Sequence, residues 1–141
     1  MFYLITTVNI IIFVVISAFH FYWVIGKQKV DLQPVIPHIN GKPVFVPTKI
    51  GGGFIATLLI GASILVYLNA NNIWPFIPES FYKIALGMLS ITMLLRAIGE
   101  FKLVGFFKKI KNSKFAEMDT KYYSPLCLYL CISCLYLVLK N

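Results

Sequence analysis

The chain has 141 residues, 59% of them hydrophobic and only 13% charged, with a formal net charge of +8. That balance excludes an ordinary soluble domain and places the chain among membrane proteins, with length for one domain. A basic membrane face without an Arg cluster is also a poor nucleic-acid surface.

The first apolar run, FYLITTVNIIIFVVISAFHFYWVI at residues 2–25, is long enough for a bilayer core, which takes roughly 20 helical residues. It is expected to stay as an uncleaved span. No basic residue precedes the run, it exceeds a signal core of about 7 to 15 residues, and no A-x-A-like site follows it. Next comes GKQKVDLQPVIPHINGKPVFVPTK, where Pro34, Pro37, Pro43 and Pro47 with Gly26 and Gly41 argue against a regular helix. Its extended, apolar PVFVP piece is expected to lie over the helix ends as a lid, and Thr48 to cap the second helix.

The second span is read over residues 50–70. Gly53, Thr57 and Gly61 recur at four-residue spacing along it, a stripe that lets another helix backbone come close. Packing within the bundle is the plainer reading and a homodimer seam the sharper one. A short loop, NNIWPFIPES, brings Trp74 and two prolines to the outer interface. The third span is read over residues 81–107. SPLCLYLCISCLYLVL is shorter, but Tyr122 and Tyr123 before it and Lys140 after it can anchor both ends, giving a fourth helix over residues 123–139. On that helix Cys127, Cys131 and Cys134 share a face. No His or carboxylate accompanies them, so they read as small packing hydrophobes before a metal or redox set.

The expected fold is therefore all-α, an integral membrane four-helix bundle. Lys27, Lys29, Lys42 and Lys49 in the first loop, with Lys102, Lys108, Lys109, Lys111, Lys114 and Lys121 in the third, face only Lys83 and Lys140 on the other side. Positive loop residues are retained in the cytoplasm, so both long loops are expected there and both termini outside.

Within this frame LLRAIGEF is anomalous. Arg near a helix centre costs about 2.5 to 3.5 kcal/mol, and intramembrane charges normally face protein or water. Positions 96, 99, 100 and 103 of the third helix share a face, with Gly99 leaving room for a neighbour. His20 comes six residues before Gly26, roughly 9 Å deep at 1.5 Å per residue, with Trp23 one turn on. DTKYYSP opens the fourth helix, where Asp119 or Thr120 suits a cap and Pro125 a first turn. The expected ligand-binding set is His20, Trp23, Arg96, Glu100, Asp119, Tyr122 and Tyr123, with His20 and Glu100 as candidate catalytic groups. Plainer readings stand beside it: an interface histidine, an aromatic belt of Tyr22 and Trp23, and a structural Arg96–Glu100 ion pair. FKKIKNSK reads first as the positive-inside signal and second as a binder of lipid headgroups.

On His20-x-Tyr22-Trp23, on GKPVFVPT and above all on RAIGEFKLVGFFKKIKNSKFAEMDTKYYSPLC, residues 96–127, the chain resembles small bacterial four-span membrane proteins grouped as domain of unknown function 3995. The resemblance covers nearly the whole chain. It implies a multi-pass protein of the bacterial plasma (inner) membrane, with a carboxylate, commonly Asp, where Glu100 stands. It implies no activity.

Three functions are then expected in order. The first is binding of a membrane lipid or small amphiphile in an apolar inner-leaflet pocket with a few polar groups. The second is an intramembrane isomerase or transferase in which His20 and Glu100 exchange protons. The third is an accessory or proton-coupled transport subunit. No metal cluster, phosphate loop or nucleophile motif is present, so no cofactor is expected.

Overall fold

The computed structural model describes residues 1–26, 31–71, 73 and 76–140. Lys27, Lys29, Trp74 and Pro75 lie outside the described residues. Among the described residues, four helices are long and apolar enough to cross a membrane: α1 Phe2–Ile25, α2 Lys49–Asn71, α3 Glu79–Ile98 and α4 Lys114–Lys140. They form two antiparallel pairs, α1 with α2 and α3 with α4, joined by smaller α1–α4 and α2–α3 contacts.

Burial runs opposite to that of a soluble bundle. Ile11, Phe54, Ile91 and Ile132 point outward, whereas Asn9, Ser17, Ser90 and Ser133 are buried. Lipid tails are as apolar as the side chains, so helices associate in a bilayer through close packing and interhelical hydrogen bonds. Ser17 donates to the Ala56 carbonyl at 2.7 Å, tying α1 to α2, and Ser90 donates to the Cys131 carbonyl at 2.9 Å, tying α3 to α4. Ser133 donates to Asn9 Oδ1 at 2.9 Å, and Asn9 Nδ2 approaches Cys134 Sγ at 3.9 Å, joining α1 to α4. Phe13, Val66, Leu86, Leu130 and Leu137 fill the space between these links. Cys131 and Cys134 thus face α3 and α1 as packing and hydrogen-bonding groups, and all three cysteines are free thiols.

The small-residue stripe on α2 divides. A Cβ on Gly52 would lie 2.6 Å from Val24 Cγ2, so Gly52 is where α1 comes close. Gly53 and Gly61 look onto open space and Thr57 is exposed, so the Gly53, Thr57, Gly61 face is not used for packing within the chain.

Two helix boundaries differ from the sequence expectation. The third helix ends at Ile98 rather than residue 107, because Gly99 takes the left-handed conformation at φ 79° and its N–H closes on the Leu95 carbonyl. Gly105, at φ 87°, then packs against Gly99 so closely that a Cβ on either would collide with the other's backbone strand. The chain folds back, and the Phe106 N–H bonds the Ala97 carbonyl at 2.9 Å. The fourth helix starts at Lys114 rather than residue 123, capped by Ser113, whose Oγ accepts from the Ala116 N–H at 3.1 Å. Neither Asp119 nor Thr120 is the cap. Asp119–Tyr123 form instead a π-helical turn inside α4, with the Ser124 N–H reaching back to the Asp119 carbonyl. Pro125 follows this wider turn, which accommodates its missing N–H and its ring.

A two-residue hairpin, β1 His38–Ile39 and β2 Lys42–Pro43, turns through Asn40 and Gly41, both at positive φ (51° and 75°) as a type I′ turn requires. Both long loops lie at one end of the bundle, since Asp31 pairs with Lys114 at 3.2 Å and the Tyr123 hydroxyl donates to the Pro34 carbonyl at 3.1 Å. The exposed Asp31 carboxyl is held below the usual carboxylate range by the Gln33 N–H first and the Lys114 ammonium second.

Candidate functional site

The expected single polar cluster separates into two structures at this end. The first is an ionic hub. Asp119, wholly buried in the π turn, accepts from Arg96 Nη2 at 2.9 Å, from Lys108 Nζ at 2.9 Å and from the Gly105 N–H at 2.8 Å. All three partners donate, so a proton on this carboxyl would find no acceptor. Lys108, itself buried, also donates to the Gly105 carbonyl at 3.0 Å and to Thr120 Oγ1 at 2.7 Å. Every member comes from the block spanning α3's last turn to α4's first turns. The left-handed glycines make the fold-back that brings Lys108 in, and the π turn aims Asp119 at it.

Two cations on one carboxylate leave the hub with one net positive charge. Arg96 is 34% exposed in its side chain, but its Nη1 atom is buried without a hydrogen-bond partner. Removing one partner from a buried ion pair costs about 3 to 5 kcal/mol, because the other charge stays behind unpaired. The hub is therefore first a device that locks the residue 99–113 segment against α4.

The second structure is a cavity of about 540 Å³ bounded by the end of α1, the first loop and the start of α2. His20, Trp23 and Val24 come from α1; Leu32, Val35, Ile36, Phe45 and Pro47 from the loop; Thr48, Lys49, Gly51, Gly52, Phe54 and Ile55 from the α2 side. Phe45 and Pro47 belong to the PVFVP piece, so two of its residues line the cavity while the piece itself is exposed throughout. His20 and Trp23 pack ring against ring with centroids 5.0 Å apart. His20 Nδ1 lies 2.9 Å from the Ile16 carbonyl and donates to it, since a carbonyl only accepts. Nε2 is then the ring atom left for other partners. Thr48 Oγ1 accepts from the Gly51 N–H at 3.0 Å, which leaves its proton to donate elsewhere. No acidic side chain lines the cavity among the described residues.

The remaining expected residues are placed as follows. Glu100 is beyond α3, exposed, and accepts from the Leu103 N–H at 3.2 Å; it does not line the cavity and is not paired with Arg96. Positions 99, 100 and 103 share no helical face with Arg96, because the helix has ended. Tyr122 is exposed, with the Lys121 ammonium 5.2 Å from its ring centroid. Tyr123 is used to hold the first loop down. Gly105 was expected in no site, and Lys108 only within the FKKIKNSK run as a positive-inside or headgroup lysine. In sequence Lys108 is one of several lysines in FFKKIK, and only the fold-back distinguishes it from Lys109.

A family model described as Protein of unknown function (DUF3995) matches residues 13–134. No curated protein and no solved structure matches.

Proposed function

The chain belongs to the DUF3995 family, whose description states no activity, and we propose that it binds a single-chain amphiphile in the cavity beneath the first loop. One observation carries the reading: an apolar space of about 540 Å³ at the end of two membrane helices, with His20, Thr48 and Lys49 as its polar groups. Ligand sites typically enclose about 300 to 1,000 Å³ with an apolar body and a few convergent polar groups. The volume suits one acyl chain or a small ring system rather than a whole two-chain phospholipid. With Lys49 lining the cavity and no carboxylate facing it among the described residues, the head that fits is anionic or rich in hydrogen-bond acceptors and donors. The lysine-rich end that carries both long loops faces the cytoplasm in this proposal, by the positive-inside rule. The headgroup of the bound molecule then sits at the inner leaflet.

An acid–base enzyme built on His20 and Glu100 gains no support, since the two do not share the cavity. Arg96, expected to engage a ligand, is occupied by Asp119.

Trp23 provides the test. In the Trp74→Phe variant, purified in a nonionic detergent, a brominated fatty acid should quench Trp23 fluorescence saturably at one molecule per chain, and the unbrominated acid should reverse it by competition. Quenching that only rises linearly with added acid would reject the proposal.

A further inference from the structure

The segment between α3 and α4 shows a second surface. Phe101, Phe106 and Phe107 lie outside every helix and are 57%, 40% and 63% exposed. Phe101 and Phe107 stand with ring centroids 6.2 Å apart, so they present one aromatic face. Lys102, Lys109 and Lys111 are exposed on the same short segment, while Lys108 between them is turned inward to Asp119. Glu100, the one acidic side chain on the segment, is engaged with the Leu103 N–H.

This arrangement does not suit a loop projecting into water. Three phenylalanines on one mobile aqueous loop would expose a contiguous apolar patch. Nor is the segment mobile in construction. The Gly99–Gly105 contact fixes its neck, the Phe106 N–H bonds the Ala97 carbonyl and the Ile110 N–H the Lys102 carbonyl, each at 2.9 Å, and the Gly105 N–H is taken by Asp119. These bonds hold the shape of irregular chain whose remaining backbone groups still need water or headgroups, so only its side chains can reach hydrocarbon. Aromatic rings with flanking lysines match the boundary where acyl chains give way to phosphates. The basic side chains choose the partner's sign.

We infer that the residue 99–113 segment is a shallow membrane wedge, which seats Phe101, Phe106 and Phe107 among the acyl chains of an anionic leaflet while Lys102, Lys109 and Lys111 bind its phosphates. The hub holds the wedge rigid, and the cavity beneath the first loop is independent of it.

The Phe107→Trp variant tests depth. In vesicles of phosphatidylcholine with phosphatidylglycerol, the added fluorescence, taken as the difference from the parent chain, should be quenched by lipids brominated near the headgroup and shielded from iodide. Quenching by iodide with none from the bromolipids would overturn the inference. Shielding from both would overturn it too, since a protein partner or second copy would then cover the segment. Selectivity is read separately, by native mass spectrometry from bilayers mixing the same two lipids. Replacing Lys102, Lys109 and Lys111 together with Gln should lower retention of phosphatidylglycerol relative to phosphatidylcholine at least about fivefold, the factor that the loss of a single lysine's contribution, about 1 kcal/mol, already corresponds to. Unchanged retention would remove the electrostatic half of the inference.

Discussion

Arg96 Nη2 lies 2.9 Å from Asp119 Oδ1 across 23 residues of chain, closing the segment between α3 and α4 into a loop pinned at both ends. A cation that would be costly in hydrocarbon is here matched to a carboxylate placed by a π turn, with Lys108 on the other oxygen. Asp119→Asn leaves two cations facing a neutral amide. We predict a loss of about 3 to 5 kcal/mol in unfolding free energy in detergent. A loss under about 1 kcal/mol would mean the hub supports little.

The two left-handed glycines should be as sensitive as the charges. Gly99→Ala and Gly105→Ala each impose a φ costly for any L side chain, about 1 to 2 kcal/mol, and add a collision with the facing backbone. Gly41→Ala, at a similar φ but with open space around it, should show the conformational part alone. Equal thermal shifts for all three would contradict the tight Gly99–Gly105 contact.

Four spans were legible because hydropathy reports lipid-compatible length, and the non-helical first loop was legible because Pro43 and Pro47 forbid a helix around apolar Phe45. The end of α3 was not. Leu103, Val104, Phe106 and Phe107 prolong an apolar run without saying whether it is helical, and two glycines six residues apart declared the break only once their contact was seen. The split of the polar cluster followed from this error: continued as a helix, α3 carries Glu100 beside Arg96, whereas a turn at Gly99 sends it outward. His20 and Trp23, one helical turn apart, do meet. The inward turn of Lys108 left no trace in the sequence, since its neighbours on both sides are equally apolar or basic.

On α2 the glycines should respond unequally. Gly52→Val drives a side chain into Val24 and should push α1 from α2, costing about 1 to 3 kcal/mol and reshaping the cavity that Gly52 lines. Gly61→Val adds its methyls to open space and should leave stability within about 0.5 kcal/mol. Matching losses for both, measured by thermal unfolding in detergent, would place α1 elsewhere.

Asp31 and Lys114 form an exposed link from the first loop to α4. The folded carboxyl lies below its unfolded range, so the link contributes above the unfolded value, near pH 4, and is lost only as pH falls through the folded one. Hydrogen exchange over residues 31–36, corrected for the intrinsic rate, should thus be unchanged between pH 7 and pH 5. It should rise modestly in Asp31→Asn. Protection in the variant equal to that of the parent chain would show that the hairpin and the Tyr123–Pro34 bond suffice.

The most direct test of the central claim is native mass spectrometry of the protein released from its own membranes, beside the Val35→Phe variant, which fills the cavity from the loop side. The parent chain should retain one molecule of single-chain mass, and Val35→Phe should lose it while keeping its thermal stability and its annular phospholipids. An identical adduct on both proteins, or none on the parent, would contradict binding beneath the first loop.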